Sequence, residues 1–245
     1  RKINKMNKII LENDRVIDVV VDSSLNYELL VNDLLGINLL SIEVLSDTDL
    51  ELDYSFLISS KLEVSIVVNE NVNLNIYEKI SGKETKIRTK YTLKENSNVK
   101  VSKFNDIETI KEYVIIYLDG KFSNINYNLK TISKNIEKYD ILIYHNNKET
   151  NSQILTNGVN ICDGKLKFNV SSFVPSGNKN CNVLQNNRII NLTDNQCIIK
   201  PNLYIDEYEV SANHSALIGS FKDDEIFYMQ RLGISKDDAN KLLIE

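Results

Sequence analysis

The run Asp49–Ile58, DLELDYSFLI, puts Leu50, Leu52, Tyr54, Phe56 and Ile58 on one parity and acids or small polar residues on most of the other. Side chains alternate across a strand with a period of two, so this stretch is a β-strand with one buried face. Lys61–Val68, KLEVSIVV, repeats the pattern with Leu62, Val64, Ile66 and Val68, and Asn71–Tyr77, NVNLNIY, repeats it again with Val72, Leu74 and Ile76. Ile125, Tyr127 and Leu129, then Leu166, Phe168 and Val170, extend the alternation far along the chain.

Short strands at intervals of about ten residues are compatible with a barrel, a sandwich or a coiled solenoid. The connections separate these. Asn-Gly occurs once, at Asn157-Gly158, and Asp-Gly twice, at Asp119-Gly120 and Asp163-Gly164, while other connections are rich in asparagine. Asparagine tolerates the left-handed backbone region and bonds to its own loop, as solenoid corners demand. The connections thus favour the solenoid over the barrel and the sandwich, as an all-β core with short helices at the ends.

Three segments are expected: residues 1–40 with one short helix, a β-helix core over 41–220, and a helical pair over 221–245. The first helix rests on Leu25, Leu29, Leu30 and Leu34 in partial helical spacing, closed by Gly36. The pair rests on KDDEIFYMQRLG, with acids first, Arg231 late and Gly233 at the stop, and on SKDDANKLL, where Asp238 follows Ser235 by three.

At 245 residues the chain can bury one sizeable core. A net charge of −5 and the lack of a long basic block argue against nucleic acid, and no apolar run is long enough for a bilayer helix. No signal-peptide pattern is present, and Cys162, Cys181 and Cys197 form an odd set without a C-x-x-C pair, so a reducing cytoplasm is the expected compartment. With His145 and His214 as the two imidazoles, a dense Cys/His metal site would need ligands from a second chain. No phosphate-binding glycine loop, G-x-S-x-G or H-E-x-x-H occurs, and the chain is not expected to be an enzyme.

The run Lys200–Leu243 resembles the C-terminal part of the SufB/SufD family, scaffolds of the SUF iron–sulfur cluster assembly system. Lys200-Pro201-Asn202-Leu203-Tyr204-Ile205, His214-Ser215-Ala216, Gly219, Phe227-Tyr228, Arg231, Gly233-Ile234 and Ala239 with Leu242-Leu243 carry the resemblance. Upstream, His145, Ser152, Gly158-Val159, Asp163 and Asn187-Arg188 follow the family's order. Asn213 and Ser215 flank the histidine where SufB members usually have glutamates, which places the chain nearer SufD.

The resemblance implies a right-handed parallel β-helix, a SufB-like partner chain, a SufC ATPase docked on the C-terminal helices, and an iron–sulfur cluster held transiently at a subunit interface, with no resident cofactor. It also makes His214 a candidate metal ligand, because neutral imidazole ligates iron. Strand parity places His214 with Val210, Ala212, Ala216 and Ile218, where an ordinary core histidine would also sit. Cys197 is the second metal candidate, on the strand before; a free cysteine there also serves as a small hydrophobe. His145 is expected to order a turn or pack at a strand end. A homodimer is possible in isolation, and the other classes open to a β-helix are a carbohydrate-active enzyme or a structural adaptor.

Overall fold

The computed structural model describes residues 6–13, 15–32, 37–220, 230–232 and 235. Its strands wind into a parallel β-solenoid with two faces. One face carries β1 (Asn7–Glu12), β5 (Thr48–Phe56), the first part of β7 (Asn73–Leu93), the first part of β8 (Asn98–Leu118), β9 (Asn124–Ser133), β11 (Asn151–Asn160), β13 (Cys181–Asn191) and β15 (Val210–Gly219). The other carries β4 (Ile37–Val44), β6 (Ser60–Val68), the remainders of β7 and β8, β10 (Ile136–His145), β12 (Lys165–Val174) and β14 (Ile198–Ile205). Neighbours within each face pair in parallel. The two antiparallel pairs join β2 (Arg15–Val20) to β1 and β3 (Leu25–Asn32) to β4.

In-register pairing stacks like positions into columns that run the length of the solenoid. Leu50, Ile76, Val101, Tyr127 and Ile154 form one interior column, each fully buried or within 1% of it. Leu40, Val64, Thr89, Val114, Ile141 and Val170 form another on the opposite face. Each alternating strand adds a layer of apolar surface to a continuous core, and removal of that surface from water is the main driving force.

The asparagine-rich connections do what their chemistry suggests. Asn71, Asn96, Phe122, Glu149 and Asn180 sit at successive corners with φ of 60°, 54°, 61°, 58° and 58°, three of the five being asparagine. The Asn71 N–H donates to the Glu95 carbonyl at 2.9 Å and the Asn96 N–H to the Lys121 carbonyl at 2.8 Å, so each corner bonds to the next. Beside them a side-chain ladder runs from Asp47 through Asn73 and Asn98 to Asn124.

Where the helix near Leu25–Gly36 is expected, Leu25–Asn32 is strand β3, paired from Leu25↔Val44 to Asn32↔Ile37, and residues 33–36 lie outside the described residues. The leucine spacing is compatible with a helix, but Leu25 is 2% exposed beneath a strand partner that itself buries Leu40, Ile42 and Val44, and this tertiary pairing outweighs local propensity. The helical pair expected over 221–245 lies, but for residues 230–232 and 235, outside the described residues. Among the described residues no helix is long and apolar enough to cross a membrane.

Gly82 marks the point where β7 passes from one face to the other. Its φ is +120°, and a Cβ there would stand 2.1 Å from the Phe56 carbonyl oxygen, which is backbone and cannot swing aside. Gly82→Ala is expected to cost roughly 2 kcal/mol, through strain at a left-handed position and displacement of β5, read as a fall in the urea midpoint.

Candidate functional site

The last coil of the described chain is β14, a corner at residues 206–209, and β15. β14 pairs with β12 and β15 with β13, and each is the final strand of its face. Their outer backbone edges therefore lack a strand neighbour among the described residues. Such an edge is a template for another strand.

His214 continues the interior column of Leu50, Ile76, Val101, Tyr127, Ile154 and Gln185. The parity expected from the sequence is thus the observed one, yet the residue is exposed. The six positions before it are covered by the next coil, and His214 is in the last. Ala216 and Ile218 share its situation, Ile218 being 44% exposed on what is an interior position everywhere else.

Cys197 extends a different interior column, that of Ser60, Thr85, Ile110, Glu137 and Leu166, and packs partly buried against the main core. Burial holds its thiol above the usual range, against the Leu166 N–H that bonds its sulfur. A thiol so placed is a poor source of thiolate. Counting from the 206–209 corner, on either side of which Leu203, Ile205, Val210 and Ala212 pack against Val174, Cys181 and Val183, Cys197 lies about four residues deeper along the coil than His214. At strand rise that is roughly 13 Å. The two metal candidates share the coil but do not converge, and among the described residues no group of three His, Cys, Asp or Glu could hold a metal ion.

The remaining candidates are structural. His145 is 0% exposed, with Nδ1 2.8 Å from Thr150 Oγ1 and Nε2 2.9 Å from Ser152 Oγ, and burial lowers its pKa to about 4. It is a neutral imidazole that ties β10 to the start of β11. Cys181 is buried with its sulfur 3.2 Å from the Asn178 carbonyl and 3.4 Å from that of Asn147, and Cys162 is exposed at a corner with φ 54°. All three cysteines are free.

Sequence reading missed a polar network inside the core. Lys103 Nζ sits 2.8 Å from Glu78 Oε1 and also bonds Glu112 Oε1, and all three side chains are within 1% of complete burial. Tyr91 Oη donates to Glu78 at 3.4 Å. One strand further on, Glu137 Oε2 accepts from Thr131 at 2.6 Å and from Tyr139 at 2.8 Å, while Asn105 donates to Tyr139 at 3.0 Å. The available signal was a charge on apolar parity: Glu78 between Ile76 and Ile80, and Lys103 after Val99 and Val101.

On the outer face of β8, β10, β12 and β14, Tyr117, Tyr144, Phe173 and Tyr204 stack with ring centroids 5.3, 4.8 and 4.7 Å apart. The stack ends on the edge strand with Tyr204, 53% exposed.

The family model described as SUF system FeS cluster assembly, SufBD core domain, matches residues 60–245. The iron-sulfur cluster assembly protein SufD of Bacillus subtilis (strain 168) is 28% identical over 142 residues, which cover 57% of this chain and 32% of that protein. The chain thus spans about a third of that relative's length. With three quarters of its residues under the family model, and every column of the solenoid from β6 onward inside the match, the chain belongs to the SufB/SufD core-domain family of the SUF iron–sulfur cluster assembly system, as a SufD-like member.

Proposed function

We propose that the chain is a SufD-like scaffold subunit that pairs with a SufB-like chain through the open end of a right-handed solenoid, and that iron–sulfur clusters are assembled at the resulting interface. It is a scaffold and not an enzyme, works in the cytoplasm, and docks the SufC ATPase through residues 221–245. Right-handedness is what parallel crossovers adopt almost without exception. The observation that carries the reading is His214: an imidazole on the interior column of the last described coil, exposed, on a coil whose two outer strand edges have no strand neighbour among the described residues. A second chain docked there by edge pairing would cover His214 and could supply the ligands this chain lacks. Cys197, deep in the coil and held as a thiol, is the weaker ligand of the two.

The test is anaerobic co-expression with SufB-like and SufC-like chains, followed by mass, iron and sulfide determination. A coloured heteromeric complex is expected, with little iron on this chain alone; colourless chains that do not associate would overturn the proposal. His214→Ala should change unfolding free energy by no more than about 1 kcal/mol, the worth of a single hydrogen bond made by an exposed side chain. The same variant should lower the cluster content of the complex severalfold. Unchanged cluster content would remove His214 from the site.

A further inference from the structure

Directly behind His214 in its column lies Gln185, paired with it in register across β13 and β15. Gln185 is 0% exposed. Its Nε2 donates to Ser172 Oγ at 2.8 Å and to the Asn202 carbonyl at 3.1 Å. A backbone carbonyl can only accept, so the Asn202 bond identifies Nε2 as the nitrogen, and both amide hydrogens are committed. The side chain is therefore held from two directions. What remains is Oε1, buried and without a hydrogen-bond partner. An unpaired buried acceptor costs free energy, and among several such atoms this one stands directly behind the exposed His214.

Adjacent in-register side chains on one face of a parallel sheet lie about 4.8 Å apart, within reach of one another by rotation of a side chain. The imidazole of His214 is free to make that rotation, since nothing among the described residues bonds it. A histidine that presents one ring nitrogen to a ligand usually donates the other N–H to a nearby oxygen, which fixes the tautomer and the ring orientation. Building on the role proposed for His214, we propose that Gln185 is its positioning residue: Oε1 accepts one imidazole N–H, and the lone pair of the other ring nitrogen is turned out of the open end toward the docked chain and its cluster.

The geometry also explains why the device sits on this rung. Earlier members of the column, Val101 and Ile154 among them, offer no acceptor, and Tyr127 is closed in on both sides. Gln185 is the position immediately beneath the opening. Its anchors Ser172 and Asn202 come from β12 and β14, so the orientation of a residue on one face is set by strands on the other.

The experiment reads the tautomer directly. With two histidines in the chain, long-range ¹H–¹⁵N correlation spectra of the isolated protein at neutral pH resolve both imidazoles, and buried His145 serves as an internal control for folding. In the unsubstituted protein His214 is expected as a single tautomer. In Gln185→Leu it should relax to the tautomer mixture of free histidine with the His145 signals unmoved. A tautomer mixture in the unsubstituted protein overturns the proposal without any variant, and so does a single tautomer that survives Gln185→Leu. None of these readouts needs a cluster or a partner, so loss of cluster assembly in the complex would test the role of His214 and leave the positioning result standing separately.

Discussion

Lys103→Met is expected to lower the unfolding free energy by about 3–5 kcal/mol, the cost of leaving buried carboxylates without their counter-charge. Lys103 is the one cation between Glu78 and Glu112, which reach it from β7 and from the opposite face of β8. Burial alone would depress the ammonium, but the attraction of Glu112 and Glu78 overrides it and holds its pKa above the ordinary value. Burial likewise raises the Glu112 carboxyl, against the pull of Lys103. Removing the cation leaves two acids that cannot both stay ionised in a dry interior.

The informative comparison is the triple change Lys103→Met, Glu78→Leu, Glu112→Leu. Buried ion networks replaced whole by apolar groups are often neutral or stabilising, so the triple variant should recover most or all of the loss. Urea unfolding of both proteins decides it. A single variant within about 1 kcal/mol of the parent would mean that water reaches the network and that it is not the dry cluster described above. If the triple variant stays as unstable as the single one, the charges do more than satisfy each other: they fix which coil lies against which.

Stability should also depend on pH through two buried groups that act in opposite senses. Burial lowers His145 from 6.5 to about 4, so the unfolded chain takes up a proton that the folded chain refuses. Its contribution is complete above pH 6.5 and is lost as pH falls toward 4, by up to about 3 kcal/mol at 1.36 kcal/mol per pH unit. Glu137 behaves inversely. Burial raises its carboxyl from 4.5 to about 7, against the hydrogen bonds of Thr131 and Tyr139, so the folded chain keeps a proton that the unfolded chain releases. Its contribution is complete below pH 4.5 and is lost as pH rises to 7, by a similar amount of about 3 kcal/mol.

Between pH 4.5 and 6.5 the two slopes offset each other in the parent protein. Glu137→Gln removes one of them. The stability of that variant relative to the parent is expected to rise by about 3 kcal/mol between pH 4.5 and 7, measured by urea unfolding at fixed ionic strength. A difference that stays flat over this range would place the Glu137 proton elsewhere. Relative to the parent, a His145→Asn variant should show the mirror image, gaining as pH falls from 6.5.

Much of this protein was legible from parity. The positions read as buried from Leu50 to Phe56, from Leu62 to Val68 and from Val72 to Ile76 are buried, because alternation across a strand is a local consequence of backbone geometry. Asparagine at the corners was legible for the same kind of reason: a left-handed φ is a property of one residue and its neighbours. Ile58 shows the limit of that logic, for it keeps the parity but lies beyond the end of β5 and is 64% exposed.

What parity could not supply is what lies next to each strand. Leu25–Asn32 became a strand because β4 was there to pair with it, not because its own residues exclude a helix. Lys103 meets Glu78 and Glu112 because coil length brings one rung over another and one face against the other, and that register is set by the whole winding. His214 is the clearest case. Its sequence determined that it faces inward; only the tertiary structure decided that inward, on the last coil, means exposed, and that the orphaned oxygen of Gln185 stands behind it. Direction along a strand is encoded within two or three residues, whereas burial and partnership depend on coils some thirty positions away.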